Sequence, residues 1–187
     1  MSNQQSLLLA PPLDTVEWIN SAKPLTLSEL KGKVVVIHAF QMLCPGCVSH
    51  GIPQASSIYK TYSRDEVQVI GLHAVFEHHD VMTSKALKAF VHEYRLSFPI
   101  AIDKPSDNNA IPCTMTSFQM KGTPTLIILD KNGYLRVNYF GRMNDMQVGS
   151  IIGGLLEEKS ASSKEVEITG STNHLTSLQC GNDGCLI

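Results

Sequence analysis

Val34-Val35-Val36-Ile37-His38-Ala39 is almost uninterrupted in apolar residues, and its first four are β-branched. Such a run is predicted to be a central strand covered on both faces, since a half-exposed strand would alternate. Directly after it, Phe40-Gln41-Met42-Leu43-Cys44-Pro45-Gly46-Cys47 sets two cysteines around a Pro-Gly pair, where strand hands over to helix. Proline is tolerated in a first helical turn. That turn leaves unpaired N–H groups and a partial positive charge, which favours the thiolate of Cys44 over its thiol. Cys47 follows about one turn later, close enough to form a disulfide with Cys44. The pattern is that of a two-electron dithiol switch, and the rest of the chain reads as its scaffold.

At 187 residues the chain has the length of one domain of ordinary size with room for an appendage. Hydrophobic content of 43% with 17% charge describes a soluble globular protein. Fifteen Lys and Arg against seventeen Asp and Glu leave no global field for nucleic acid or an anionic membrane, so neither is expected as a partner. The start Met1-Ser2-Asn3-Gln4-Gln5 lacks a basic side chain, and Pro11 and Pro12 end the apolar run Leu7 to Ala10. That is unlike a secretory leader, and a cytoplasmic location is expected, with a removed leader left open. Five cysteines are too few and too scattered for a disulfide framework.

Three regions are expected: a loosely held N-terminal arm over 1–14, one domain over 15–159, and a Ser-, Thr-, Asn- and Gly-rich tail over 160–187. Within the domain, Thr15 to Asn20 reads as a short strand and Glu66 to Ala74 as a buried one. Gly51 and Pro53 predict a kink in the helix after Cys47. Val81, Met82, Ala86, Leu87, Phe90 and Val91 mark one face of a helix capped by Asp80 or Thr83. Phe98 to Ile102 is a short strand, and Thr114 to Met120 a short helix. Gly122 to Asp130 and Tyr134 to Phe140 form a hairpin through Lys131-Asn132-Gly133. A helix over Asn144 to Glu157 closes the domain, and Lys164 to Thr169 alternates like a further short strand.

With Cys44-Pro45-Gly46-Cys47, Gly122-Thr123-Pro124-Thr125 and the Asp130-Lys131-Asn132-Gly133 turn in this order, the chain resembles the thioredoxin-like redoxins over residues 15–158 or so. The likeness is to their TlpA-like, AhpC/TSA branch. It implies an α/β, three-layer thioredoxin-like fold with a central mixed sheet flanked by helices. It implies a thiol–disulfide oxidoreductase in which Cys44 attacks and Cys47 resolves, with no cofactor. It further implies a cis Thr123-Pro124 bond against the sulfurs, with the Thr123 backbone offered to a bound thiol peptide. An ordinary trans proline at a strand start is the alternative. Partners would be protein or small-molecule disulfides and thiols, plus a reducing or oxidising protein.

The chain departs from the thioredoxin pattern at three points. Leu43 replaces the usual Trp, Pro45-Gly46 reverses the Gly-Pro order, and His38 occupies the position of a buried acid. His38 could relay a proton to or from Cys47; a packed core histidine is the plainer reading. A peroxiredoxin-like peroxidase is one alternative function, although Gln41 stands where a Thr or Ser would assist the attacking Cys. A metal-binding or scaffold module is another, with Cys44, Cys47 and His50 as ligands, but a structural zinc site wants four. His73, His78, His79 and His92 invite a metal hypothesis too, but adjacent histidines near a helix start, as at His78-His79, read more simply as solvated surface. Cys113 reads as a free or buried thiol. Cys180 and Cys185 are either a second dithiol or incidental tail thiols.

Overall fold

The computed structural model describes residues 8–158. Six strands form one sheet: β1 (Thr15–Ile19), β2 (Val34–Phe40), β3 (Val67–His73), β4 (Ile100–Asp103), β5 (Thr125–Leu129) and β6 (Leu135–Phe140), in the order β1-β4-β3-β2-β5-β6. β2 and β3 run parallel, as do β3 and β4, whereas β1, β5 and β6 pair antiparallel with their neighbours. The sheet is therefore mixed. Every residue of β2 is buried, as its unbroken apolar run requires of a strand with a helical layer or loop cover on each face.

Alternate residues of β2 serve two cores. Val34, Val36 and Phe40 face α1 (Ile52–Thr61), α2 (Ser84–Glu93) and α4 (Asp145–Glu157), meeting Ile58, Leu87, Val91, Val148 and Ile152. Val35, Ile37 and Ala39 face the other way, among Leu30, Met115, Phe118 and Met120, with Met115 in α3 (Cys113–Ser117). The three-layer arrangement is the thioredoxin-like one. Helix starts are chemically marked: Thr83 Oγ1 accepts the Ala86 N–H (3.2 Å) and Asn144 Oδ1 accepts the Met146 N–H (2.9 Å). At α3 the buried carboxylate of Asp103 does this work, accepting the N–H groups of Thr114 (2.8 Å) and Met115 (2.9 Å).

The expected kink after Cys47 takes a definite form. A π-helical turn over Cys47–Gly51 runs into α1, with the Ile52 N–H reaching back to the Cys47 carbonyl. One extra residue in a helix re-phases its face, and such insertions concentrate at functional sites. The hairpin forms at Asp130–Tyr134: Asp130 Oδ1 accepts the N–H groups of Asn132 (2.9 Å) and Tyr134 (3.0 Å), and Gly133 has φ +86°. Residues 8–10 differ from the loose arm expected of them. The Leu135 N–H donates to the Leu8 carbonyl (2.8 Å) and the Ala10 N–H to Gly133 (3.0 Å), so this stretch is tied to the hairpin. The alternating segment 164–169 and the tail cysteines Cys180 and Cys185 lie outside the described residues.

Candidate active site

The site stands at the carboxyl end of β2, where the chain leaves the central strand and enters the helix. Cys44 and Cys47 are joined as a disulfide, with Cα atoms 5.2 Å apart. The two sulfurs are unequal in access: Cys44 is half-buried and Cys47 fully buried. An incoming sulfur therefore reaches Cys44 first. The Cys47 backbone N–H points at Cys44 Sγ (3.2 Å), one of the free donors of the helix start turned on the sulfur that would carry negative charge.

Opposite lies Thr123-Pro124, whose peptide bond is cis as the resemblance implied. The Thr123 carbonyl oxygen sits 3.5 Å from Cys44 Sγ. The Pro124 ring packs on the helix at two glycines, most tightly at Gly51. A Cβ on Gly46 would lie 3.4 Å from Pro124 Cδ, and one on Gly51 would lie 3.3 Å from Pro124 Cβ. The Pro124 carbonyl is taken by the Gly141 N–H (2.8 Å), at the end of β6. Leu43, in the place of the usual Trp, is 57% exposed beside the cysteines.

His38 lies beneath the helix, its Nδ1 3.5 Å from where a Gly51 Cβ would stand. It is buried, and neither ring nitrogen closes a hydrogen bond among the described residues. Burial pushes the imidazole down to about 4, with Gln54 acting the other way. His73, at the end of β3, is likewise buried and pushed by burial down to about 4, its ring 5.3 Å from that of Phe40. Its place at the end of β3 puts it in the core, in keeping with the buried strand expected over Glu66 to Ala74.

Cys44, Cys47, Thr123, Pro124 and His38 converge, although they come from three separate stretches of sequence. The remaining histidines do not gather, and among the described residues no group of three or more His, Cys, Asp or Glu could hold a metal ion. Cys113 carries a free thiol 3.7 Å from the Pro105 carbonyl. Sequence reasoning passed over Gln54, 6% exposed within the stripe Gly51, Gln54, Ala55, Ile58. A polar residue inside an otherwise apolar helix stripe was the signal.

The class this fold and site define is that of the thioredoxin-like dithiol proteins. The sequence model of the AhpC/TSA family matches residues 11–138, and the chain belongs to that family. Among solved structures it is similar to a thioredoxin-like superfamily protein, with 52% identity and a TM-score of 0.80 over 82% of this chain and 99% of the other. It is also similar to a thiol-disulfide isomerase from Corynebacterium glutamicum, with 49% identity and a TM-score of 0.77 over 80% and 98% of the two chains. NHL repeat-containing protein 2 of Bos taurus is 28% identical over 141 residues, 74% of this chain but 18% of that protein. The chain thus spans about a fifth of the length of that curated relative.

Proposed function

We propose that the protein is a thiol–disulfide oxidoreductase working through Cys44 and Cys47. The observation that carries this reading is the asymmetry of the pair: an accessible sulfur under a helix-start N–H, bonded to a buried one. In the reduced protein the thiolate of Cys44 attacks a substrate disulfide, forming a mixed disulfide and releasing one substrate thiolate. Cys47 then loses its proton and attacks Cys44 Sγ. The intramolecular disulfide forms, the second substrate sulfur leaves with the bonding electron pair, and two electrons have passed to the substrate.

His38 takes the Cys47 proton on this reading. It is an ionisable side chain under the helix, and burial, which holds it neutral at pH 7, makes it a transient carrier of that proton and not its resting site. The backbone at Thr123 lines the path to Cys44 and suits the extended segment of a thiol-bearing chain. Substrates are thiols and disulfides of proteins or small molecules, with a second dithiol protein to reset the pair, in the cytosol. Cell fractionation tests the last point.

The experiment is a pair of variants in an insulin-type disulfide reduction assay. Cys44→Ser is expected to abolish activity, whereas Cys47→Ser accumulates a mixed disulfide that mass spectrometry detects. Full activity in Cys44→Ser would sink the reading. Rapid Cys44-dependent consumption of peroxide, exceeding disulfide exchange, would replace it with a peroxidase.

A further inference from the structure

The seam between α4 and the edge strand β6 is open. Two adjoining hollows run along it, of about 550 and 430 Å³, with Ser150 and Ile151 lining both. Each has the size of a ligand pocket, so the side chains of a covering segment have room there. One end of this groove, at Tyr139 and Met146, adjoins the active site. Phe140 follows Tyr139, and both are exposed, as is Met146 at 84%. The Phe140 ring lies 2.8 Å from where a Cβ on Gly122 would stand. The next residue, Thr123, holds its carbonyl oxygen 3.5 Å from Cys44 Sγ. The other end of the groove, at Arg136 and Glu158, is where the described chain stops. Glu158 is fixed there by two bonds from Arg136 (2.6 and 2.8 Å) and by Lys131, which donates to its carbonyl (3.1 Å). Gly154 lines the same groove, and no atom of the described residues comes within 4 Å of where its Cβ would stand. A glycine inside a helix weakens it relative to alanine. A chain laid across Gly154 gives that glycine a steric reason.

The sequence that follows Glu158 has the length and the chemistry to fill this groove. Cys180 comes 22 residues after Glu158, a stretch that reaches up to about 70 Å. The way back is shorter. Over Asp145–Glu157 the helix rises about 20 Å. Gly141, just ahead of it, donates its N–H to the Pro124 carbonyl (2.8 Å), beside the dithiol. Covalent length therefore carries Cys180 from Glu158 to Cys44 along the groove. Val166, Ile168, Leu175 and Leu178 are the large apolar residues on the way, matched in kind to Tyr139, Met146 and Ile151. Cys180-Gly181-Asn182-Asp183-Gly184-Cys185 then sets two thiols around four turn-forming residues, a spacing that lets both sulfurs meet in one disulfide. On one chain the exchange with Cys44 is intramolecular, at an effective concentration on the order of millimolar.

We propose that the groove between β6 and α4 seats the segment 159–179, and that Cys180 and Cys185 are a resident second dithiol exchanging electrons with Cys44 and Cys47. The proposal rests on the dithiol reading above and names the immediate partner of that site. A tail thiolate attacks Cys44 Sγ, since Cys47 is fully buried. The Cys44–Cys47 bond breaks, and Cys47 leaves with the bonding pair and takes up a proton. The second tail thiolate then attacks the tail sulfur of this mixed disulfide, and Cys44 leaves as the thiolate. Cys180 and Cys185 end as a disulfide, having passed two electrons to the active site. An external dithiol reduces them again.

The test uses the full chain carrying Cys113→Ser and Cys47→Ser, with either Cys185→Ser or Cys180→Ser added. Each protein keeps Cys44 and one tail thiol. Oxidised glutathione caps Cys44, and the tail thiol is expected to displace the glutathione within the same molecule. Peptide mass mapping should then find a monomer with Cys44 joined to Cys180 or to Cys185, formed at a rate independent of protein concentration. Filling the groove with Gly154→Phe should lower the ratio of tail-linked to glutathione-capped Cys44 about tenfold. Folding is followed by thermal denaturation, and Met146→Asp, a change at an exposed position, reads the same ratio if Gly154→Phe fails to fold. Capped Cys44 with no tail linkage overturns the proposal. Links between chains, at a rate that rises with concentration, overturn it too and make a second copy the occupant. A ratio unmoved in the groove variants removes the groove as the seat. If Cys44 never accepts glutathione, the dithiol reading falls and this inference with it; missing tail linkage on a reactive Cys44 sinks this inference alone.

Discussion

A neutral imidazole in an apolar core makes folding depend on pH in a direction that can be worked out. His38 and His73 are both held down to about 4 by burial, while in the unfolded chain each titrates near the ordinary value of about 6.5. Between those limits the unfolded chain binds protons that the native protein refuses. Stability from the two rings is thus complete above about pH 6.5 and is lost as pH falls toward 4. The loss is on the order of 3 kcal/mol per ring at the acid end of that window. Denaturant titrations at pH 7 and pH 4.5 should show it, and the double variant His38→Leu, His73→Phe should have a flatter dependence. Equal slopes would mean that acid sensitivity lies elsewhere. The spacing and the burial of Cys44 and Cys47 are also residue-scale features, and they differ in legibility. Their spacing was plain in the sequence, whereas their unequal burial follows from Cys44 standing just ahead of the helix and Cys47 lying inside its first turn, against the core.

Among the elements, β3 shows how closely the layers meet. A Cβ on Gly71 would come 2.9 Å from Phe98, 3.1 Å from Ile100 and 3.2 Å from Phe40, all buried side chains. Gly71→Ala should therefore cost about 1–3 kcal/mol by overpacking, read as a lower denaturation midpoint. No change would show that the three neighbours can yield together. The strands and helices themselves were legible because period and caps are local signals: Thr83 and Asn144 mark helix starts, and Asp130-Lys131-Asn132-Gly133 marks the turn. The kink at Gly51 and Pro53 was visible too. Its π-helical form was not, since the extra residue is accommodated by what the helix packs against, namely Pro124 and His38.

For the molecule as a whole, the N-terminal stretch is the instructive case. Residues 8–10 are a short apolar run ended by Pro11 and Pro12 and read as part of a loose arm, but their backbone is bonded to the hairpin, and Ala10 and Leu13 pack on the second core. Removing residues 1–10 should lower stability by about 1–2 kcal/mol through those lost bonds, while disulfide exchange persists. A truncated protein as stable as the full chain would show that the tie contributes nothing. Sequence alone determined the doubly covered strand, the dithiol at the helix start, the Thr-Pro strand entry and the order that joins them, because each is written in neighbouring residues. Tertiary structure alone decided that Pro124 lies on Gly46 and Gly51, that His38 sits beneath Gly51, and that Gln54 ties the helix to Met143 and Asp145. Those are relations between side chains far apart in the chain, and only the packing of the layers brings them within a few ångströms.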